Sequence, residues 1–184
     1  VQSLFVYNPK TLSESFVRRI PTKYRRLKVL DINDDRLLDV PEDLQCLSRL
    51  KYFRFRNGRY EKYFPLPESI GMMGNLETLD LGDEDYVEPM PKEICMLRKL
   101  RHFIGGQMDL IPLKDDIGGM TSLQTLPKVD LDPFGARSDD RVVELIQELR
   151  KLKQLRGLVL LNVWDEYMSA ISSSINEMQQ LEKL

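Results

Sequence analysis

The residue types that carry out nucleophilic or acid–base catalysis are scarce in this chain of 184 residues. His102 is the only histidine, and Cys46 and Cys95 are the only cysteines. A Ser-His-Asp or Cys-His arrangement would have to use His102, and no spacing in the sequence places either cysteine beside it. With no motif to which catalytic roles could be assigned, we predict that the chain is not an enzyme.

Residues that bind metals or nucleotides form no recognisable motif either. A structural zinc site needs several cysteine or histidine ligands at short spacing, and the sequence has none. The acidic groups Asp34-Asp35 and Asp83-Glu84-Asp85 lack the glycine and the terminal glutamate of an EF-hand loop. The phosphate-binding pattern G-x-x-x-x-G-K-S/T does not occur. We therefore assign no catalytic, metal-binding or cofactor-binding residue and expect no cofactor.

The remaining candidates are of the types that dominate the energy of protein–protein binding. Aromatic and arginine side chains presented on one sheet face contribute most to such interfaces. With the carboxylates and the imidazole beside them, they form a hypothetical protein-binding group, which we call the recognition set: Phe5, Tyr7, Asp31, Tyr52, Arg54, Arg56, Asp80 and His102. The alternative is that these outward positions simply face solvent.

A short repeat positions these residues, and its clearest copy is Leu27-Lys28-Val29-Leu30-Asp31-Ile32. Its L-x-x-L-x-L pattern alternates inward apolar residues with outward ones, which is typical of a strand. The pattern returns from Leu50, Leu76 and Leu155, more weakly from Val1, Leu100 and Leu123, and in interrupted form from Leu181. From Leu27 on, successive copies start 23 to 32 residues apart, which is the period of leucine-rich repeats.

The segment that follows each strand is also periodic. Three copies read Leu38-x-Val40-Pro41-x-x-Leu44-x-x-Leu47, Leu66-Pro67-x-x-Ile70-x-x-Met73 and Met90-Pro91-x-x-Ile94-x-x-Leu97. Proline at a first turn, followed by apolar residues three apart, favours a short α or 3₁₀ turn. Because one repeat cannot bury its own apolar face, the repeats must stack. We predict one α/β solenoid domain over residues 1–184, with a parallel concave sheet, short helices or 3₁₀ turns on the convex side, and truncation at both ends.

Three further helices are predicted, a short one near the start of the chain and two longer ones in the C-terminal third. The first covers residues 13–20, begins at Ser13 and ends before Pro21. The others lie in the C-terminal third: one follows Ser138-Asp139-Asp140 on Val142, Leu145, Ile146, Leu149 and Leu152, and one covers residues 165–180 on Met168, Ile171, Ile175 and Met178. Before these two helices, Gly105-Gly106 interrupts a strand. Pro127 and Pro133 then interrupt the next repeat, which leaves Leu126 and Val129 as its inward residues.

Stacking the strands in register aligns their outward residues into three columns. The columns are Ser3, Val29, Tyr52, Thr78 and His102; Phe5, Asp31, Arg54, Asp80 and Ile104; and Tyr7, Asn33, Arg56 and Gly82. Arg54 should therefore lie between Asp31 and Asp80 on neighbouring strands. An exposed ion pair contributes only ~0–1 kcal/mol, so we expect this ladder to shape recognition more than stability.

Charge and cysteine usage bear on partners and compartment. Residues 1–64 contain 14 basic and 8 acidic residues, whereas residues 65–140 contain 7 and 15. Such a division favours complementary protein surfaces. A nucleic-acid site would interleave basic residues with stacking aromatics on one face, whereas Arg18, Arg19, Lys23, Arg25 and Arg26 lie mostly before a strand, so we expect no nucleic-acid partner. Cys46 and Cys95 lie two repeats apart, roughly 10 Å, too far for a disulfide. With no Asn-x-Ser/Thr sequon and no apolar run long enough for a membrane span, we predict a reduced, cytoplasmic protein.

Several segments carry a family resemblance. They are Ser3-Leu4-Phe5-Val6, Leu27-Lys28-Val29-Leu30-Asp31, Leu66-Pro67-Glu68-Ser69-Ile70-Gly71 with Asn75-Leu76-Glu77-Thr78-Leu79-Asp80, and Met90-Pro91-Lys92-Glu93-Ile94-Cys95 with Arg98-Lys99-Leu100-Arg101-His102. These segments resemble the repeat region of plant intracellular nucleotide-binding leucine-rich-repeat disease-resistance proteins. Leu161-Asn162-Val163 followed by Ser172-Ser173-Ser174-Ile175 resembles the coiled-coil branch of that family. The resemblance covers nearly the whole chain and is poorest over residues 105–137.

The resemblance implies a role in immune surveillance inside plant cells. In that family the repeat domain recognises a pathogen effector or a guarded host protein and restrains a nucleotide-binding domain. Two other classes remain open. An intracellular scaffold or substrate adaptor would lack an upstream nucleotide-binding domain. An extracellular receptor would be expected to show sequons, flanking cysteine pairs and a more regular repeat length.

Overall fold

Strands form wherever the alternating pattern of the repeat is intact. In the part of the chain that the structure describes, the first five strands pair in parallel and in chain order. They are β1 (Ser3–Tyr7), β2 (Val29–Asn33), β3 (Tyr52–Arg56), β4 (Thr78–Asp80) and β5 (His102–Ile104). A second parallel sheet consists of β6 (Gln107–Met108), β7 (Lys128–Asp130) and β8 (Leu160–Leu161).

This computed structural model describes residues 1–7, 13–33, 40–56, 66–82, 90–133, 135 and 140–183. The predictions for Leu38, for the acidic groups at 34–35 and 83–85 and for Ser138-Asp139 lie outside the described residues. Within them, no helix combines the length and the apolar character that crossing a membrane requires.

Short helices connect the strands and form the wall opposite the sheets. The 3₁₀ helices are Leu44–Leu47, Glu68–Met72, Lys92–Met96, Ile111–Leu113, Ile117–Gly119 and Asp165–Tyr167. The α-helices are α1 (Glu14–Lys23), α2 (Asp140–Leu149) and α3 (Met168–Ile175). The predicted solenoid, with a parallel sheet, short 3₁₀ turns and longer helices near the C-terminus, is confirmed.

The core lies between the two walls and consists of columns of apolar residues. The first leucine is fully buried in the six repeats that start at Leu27, Leu50, Leu76, Leu100, Leu123 and Leu155. Leu30, Phe53 and Leu79 are fully buried register partners on β2, β3 and β4. These columns fix which side chains point away from the core, because neighbours along a strand alternate between its two faces.

Consecutive repeats are also joined by backbone hydrogen bonds just before β2, β3, β4 and β5, and the series continues along the chain as far as Lys183. The N–H groups of Lys51 and Tyr52 both donate to the carbonyl oxygen of Lys28, at 2.9 and 3.1 Å. The carbonyl oxygens that accept from the next repeat in this position are those of Gln2, Lys28, Lys51, Glu77, Arg101, Gln124 and Arg156. We call this series the carbonyl ladder. Past the first sheet it continues beside the bridges that join His102, Thr125, Gly157 and Lys183, so it links repeats even where their strands differ.

The division between the two sheets results from two extra residues in one repeat. His102 pairs with Thr125 and Gln107 with Lys128, so five residue steps in one repeat align with three in the next. Gly105 and Gly106 lie in the longer segment, as the sequence predicts. A side chain at Gly105 would collide with Met108, since its Cβ would lie 2.1 Å from Met108 Cε. Leu126 and Val129 are buried beyond this point, which confirms their predicted inward orientation.

Two predicted helix boundaries are wrong. Helix α1 begins after Ser13, which accepts a hydrogen bond from the Phe16 N–H, but it continues through Pro21 to Lys23. Proline costs this helix one donor near its end, and the final turn is still closed by the Tyr24 N–H on the Ile20 carbonyl, at 2.9 Å. The other error concerns the last helix.

The last helix is shorter than the predicted range of 165–180. It begins as a 3₁₀ turn and its α-helical part ends at Ile175. Serines 172–174 are weak helix formers, and the chain must then turn so that Lys183 can pair with Gly157. Helix α2 agrees with its predicted inward face, because Val142, Leu145, Ile146 and Leu149 are buried.

Both cysteines are free thiols, in agreement with the prediction. Cys46 is half-buried, whereas Cys95 is buried in the core. Burial raises the pKa of the Cys95 thiol to about 12, and the nearby Asp116 carboxylate adds to the increase. Cys95 therefore stays protonated at neutral pH and serves as an apolar filler.

Gly71 marks the closest approach of two convex-side 3₁₀ helices. A Cβ atom on Gly71 would lie 2.5 Å from the Glu93 carbonyl oxygen, whereas a Cβ on Gly74 would meet nothing within 4 Å. Gly71→Ala should lower the free energy of unfolding by about 1–3 kcal/mol through overpacking. Gly74→Ala should be neutral or stabilising by up to about 1 kcal/mol. Denaturant unfolding of both variants measures the difference, and equal effects would contradict this packing.

Candidate protein-recognition site

The outward residues of the first sheet have the register that the sequence predicts. Ser3, Val29, Tyr52, Thr78 and His102 are successive register partners, and so are Phe5, Asp31, Arg54, Asp80 and Ile104. Tyr7, Asn33 and Arg56 begin the third column. Because Leu30 and Ile32 enter the core on either side of Asp31, the second column lies on the concave face.

Arg54 lies between two carboxylates, as predicted. Its Nη1 is 3.5 Å from Asp31 Oδ2 and its Nε is 3.4 Å from Asp80 Oδ2. Arg56 Nη2 approaches Asp80 Oδ1 at 3.7 Å. All three distances are longer than the 2.7–2.9 Å of a good charge-assisted hydrogen bond. The ladder formed by Asp31, Arg54, Asp80 and Arg56 is therefore held by attraction between the arginines and the carboxylates more than by directed hydrogen bonds between them.

The expectation that these ion pairs are exposed is wrong. Asp31 is 3% exposed and Asp80 is 7% exposed. The short aspartate side chains lie below the longer Tyr7, Tyr52, Arg54 and Arg56 side chains of the same face. A carboxylate that is shielded from water depends much more on its compensating cation than an exposed one does. Loss of Arg54 should therefore destabilise the fold, because it would leave both shielded carboxylates without their shared cation.

Asp80 has a second role at the end of its strand. Its Oδ1 accepts the Gly82 N–H at 2.9 Å, and Gly82 has a φ of +85°, which favours glycine. The same turn recurs at two later positions, from the Ile111 N–H to Asp109 (2.9 Å) and from the Asp132 N–H to Asp130 (3.0 Å). These aspartates end a strand and begin the loop at the same edge of the sheets.

The aromatic members of the recognition set differ in exposure. Phe5 is 56% exposed and Tyr7 is 54% exposed, and their ring centroids are 6.5 Å apart. The Tyr7 hydroxyl donates a hydrogen bond of 2.7 Å to Asp31 Oδ2. This bond is the main cause of a raised pKa at Tyr7, with burial and the Asp31 charge adding to it. At neutral pH, Tyr7 is therefore a neutral donor to the carboxylate.

The surroundings of Arg54 also raise the pKa of a neighbouring tyrosine. Tyr52 is half-buried, and burial raises its pKa, as do the charges of Asp80 and Asp31. Burial alone would lower the pKa of Arg54, but the two carboxylates more than offset this effect and raise it. Arg54 thus remains a cation, and Tyr52 remains a neutral phenol beside it.

His102 lies apart from the charged ladder. It is half-buried on β5, and its Nδ1 is 3.0 Å from Thr125 Oγ1. The contacts of the face link Tyr7, Asp31, Arg54, Asp80 and Arg56. Phe5 and Tyr52 lie next to this group, whereas His102 lies on β5, the last strand of the first sheet. The recognition set is therefore one contiguous group with a separate histidine.

A polar cluster on the second sheet was not predicted. Asp130 accepts hydrogen bonds from the side-chain amides of Gln107 (2.6 Å) and Asn162 (2.7 Å), and the Trp164 Nε1 donates to Asp132 at 3.1 Å. We call these five residues the polar hub. They join β6, β7 and the loop after β8. Asn162 has a φ of +54°, a conformation that asparagine tolerates better than most residues.

One sequence signal could have identified the polar hub. In the hub, Asp130 follows the apolar Val129, just as Asp80 follows Leu79 in the clear copy of the repeat, and this pattern is visible in the sequence. Burial raises the pKa of Asp109, and the nearby Asp130 charge adds to this effect. Among the described residues, no group of three His, Cys, Asp or Glu side chains could hold a metal ion.

Comparison with known proteins identifies the architecture. The family model described as Leucine-rich repeat region matches residues 1–184. No curated protein sequence matches the chain. Solenoids of this kind typically use their concave surfaces as scaffolds for binding.

Two solved structures share the fold. A leucine-rich-repeat protein of Leptospira interrogans is 21% identical with a TM-score of 0.62, and the alignment covers all of this chain and 48% of that protein. The ectodomain of the Arabidopsis thaliana membrane receptor kinase GASSHO1/SCHENGEN3, solved with Casparian strip integrity factor 2, is 16% identical with a TM-score of 0.55. The alignment covers all of this chain and 24% of the ectodomain. This chain therefore spans about half or less of these proteins, and the likeness concerns the fold alone.

The burial of the ladder predicts a large effect of removing Arg54. Arg54→Met retains the apolar stem but leaves two shielded carboxylates uncompensated, so we expect the free energy of unfolding to fall by about 2–4 kcal/mol. The control is Lys51→Met, which removes an exposed pair with Glu77 whose atoms are only 2.6 Å apart. That loss should be below about 1 kcal/mol.

Chemical denaturation of both variants compares the two pairs. Adding Asp31→Asn to Arg54→Met should recover part of the loss, because it removes one of the uncompensated charges. If Arg54→Met were no more destabilising than Lys51→Met, the ladder would be a surface feature after all.

Proposed function

The chain belongs to the leucine-rich repeat region family, and on this basis we propose that it recognises a protein partner through the concave face of its first sheet. The observation that carries the proposal is the contiguous group of aromatic and arginine side chains on that face, of which Phe5 and Tyr7 are more than half exposed. Such residues supply most of the binding energy at protein interfaces.

We further propose that the chain is the repeat domain of a plant intracellular immune receptor of the coiled-coil type. The sequence resemblance in residues 91–102 and 155–175 supports this proposal. In this role the domain senses a pathogen effector or a guarded host protein and restrains a nucleotide-binding domain that lies outside this chain. The free thiols of Cys46 and Cys95 and the absence of sequons support a cytoplasmic location.

The parent transcript distinguishes this proposal from its alternative. We expect a nucleotide-binding domain with the motif G-x-x-x-x-G-K-S/T to be encoded upstream of Val1. A gene product without that motif would instead favour an intracellular scaffold or substrate adaptor. An encoded secretion signal would overturn the cytoplasmic location.

A pair of matched double variants tests the face. In the full gene product, Phe5→Ala with Tyr52→Ala removes two concave-face rings, and Met72→Ala with Met96→Ala removes two exposed apolar side chains from the convex wall. Proteins that co-purify with the wild-type product are quantified by mass spectrometry, with cross-links locating the contact. We expect a partner whose recovery falls about tenfold or more in the concave variant.

The control variant should retain that partner. Loss of the same partner in the convex variant, or no partner that distinguishes the two variants, would contradict recognition by the concave face. Thermal melting of both variants checks that they remain folded to the same extent.

A further inference from the structure

The carboxylates of Asp31 and Asp80 are not equally compensated by the arginines and hydrogen-bond donors around them. Asp80 has Arg54 on one side, Arg56 on the other and the Gly82 N–H at 2.9 Å. Asp31 shares Arg54 and accepts the Tyr7 hydroxyl, and both contacts use its Oδ2. Asp31 Oδ1 is buried and has no hydrogen-bond partner among the described residues. An unsatisfied buried oxygen is unfavourable, so Asp31 is the member of the ladder with capacity for another donor.

The surroundings of Asp31 are suited to a cation. On the side of β1, its register partner is Phe5, and Tyr7 follows two residues later on the same face. Both rings are more than half exposed. The face of an aromatic ring attracts a cation, and so does a carboxylate in a poorly solvated site. Two exposed rings beside an incompletely compensated carboxylate therefore form a corner that favours positive charge.

We propose that the protein partner of the concave face inserts an arginine side chain at the corner formed by Phe5, Tyr7 and Asp31. The inference rests on the proposed function, because it assumes a protein partner on this face. A guanidinium group fits better than an ammonium group, since it stacks on aromatic rings and also donates two parallel hydrogen bonds to a carboxylate.

Tyr7 acts as the displaceable donor in this arrangement. Asp31 Oδ1 is shielded from solvent and Oδ2 is bonded to the Tyr7 hydroxyl, so the proposed arginine gains access to the carboxylate by displacing the Tyr7 side chain. The exposed ring of Tyr7 can rotate without disturbing the core, because the residues of β1 that pack against the core are Leu4 and Val6. The Tyr7 hydroxyl then leaves Asp31 Oδ2, and the guanidinium group of the partner's arginine donates to the carboxylate in place of the hydroxyl.

The neighbouring charges determine the direction of approach. Arg54 Nη1 is 3.5 Å from Asp31 and repels an incoming cation from the side of β3. Asp80 holds Arg54 from the other side at 3.4 Å, and Arg56 is directed to Asp80 as well. The open approach is therefore from β1, over Phe5 and Tyr7. The proposed arginine of the partner therefore approaches Asp31 from the side of β1, away from the chain's own Arg54 and Arg56.

Titration of the full chain with two small peptides tests the corner. The probe is acetyl-Gly-Arg-Gly-amide, and the control peptide carries citrulline, which has the same shape without the charge. We expect the arginine peptide to shift the NMR signals of the Phe5 and Tyr7 rings and of the β2 amides, and the citrulline peptide to leave them unchanged. Equal shifts with both peptides, or shifts elsewhere only, would overturn the proposal.

Three variants locate the charge that attracts the probe. Asp31→Asn should weaken binding of the arginine peptide about tenfold or more. Tyr7→Phe keeps the ring and removes the competing hydroxyl, so binding should become severalfold tighter, whereas weaker binding would refute displacement. Glu77→Gln removes an exposed carboxylate of the same sheet and should leave binding unchanged. Thermal melting accompanies each titration, and the wild-type comparison of the two peptides holds even if Asp31→Asn fails to fold.

The result is separable from the test of the proposed function. If the arginine peptide does not bind while the concave double variant still loses its partner, the arginine corner is wrong and concave-face recognition stands. If the peptide binds the corner but the concave variant retains every partner, the corner is a cation site without the proposed role in recognition, and the inference fails with the proposed function.

Discussion

The rest of this structure depends on the hydrogen bonds that join consecutive repeats. In each repeat, one backbone carbonyl oxygen accepts them from N–H groups of the next repeat. The oxygens of Lys28, Lys51 and Glu77 each accept two N–H groups, at distances of 2.8 to 3.1 Å. These bonds involve only the backbone, so they place no demand on side-chain type. They fix the starts of β2 to β5 relative to the neighbouring strand, and the first leucine of each of these repeats then enters the core at the same level.

This constraint explains why repeats of unequal length form one solenoid. A repeat can gain residues after its strand, as between Leu123 and Leu155, provided that the carbonyl ladder resumes at the next strand. The two extra residues near Gly105 divide the sheets without interrupting the carbonyl ladder, since the N–H groups of Gln124 and Thr125 still donate to the Arg101 carbonyl oxygen. Variation is therefore absorbed by the loops and helices, whereas the strand starts remain aligned.

The sequence predicts register well because register depends on two simple quantities, the alternation of side chains and the start of each repeat. These are sufficient to place Arg54 between Asp31 and Asp80. They do not predict burial on the concave face, because the shielding of Asp31 depends on the lengths of side chains from three strands. The polar hub was missed for a related reason: Gln107, Asp130 and Asn162 come together only after two extra residues have shifted the strands.

Helix ends were the least predictable elements, because tertiary contacts override local preference. Pro21 lies inside α1 since the Tyr24 N–H still closes the last turn on Ile20. The serines before Ile175 end α3 early, where the chain must return to the sheet. In both cases the local residue type indicates a tendency, and the position of the next strand decides the outcome.

Asp130 on the second sheet is held by hydrogen bonds alone, whereas Asp31 and Asp80 on the first sheet each accept one hydrogen bond and rely on arginines for the rest, and this difference bears on where recognition can occur. Asp130 receives two side-chain amides and a backbone N–H at 2.6 to 3.0 Å, so both of its oxygens are satisfied and the hub is closed. Asp31 and Asp80 are compensated by arginines at 3.4 to 3.7 Å, a looser arrangement in which the cations can shift while their charges stay paired. A fully bonded network resists an incoming group because each new bond must replace an existing one. The ladder of Asp31, Arg54 and Asp80 lacks that restriction, because its arginine contacts are long. Arg54 is therefore important for stability, and yet this face can adapt to a partner.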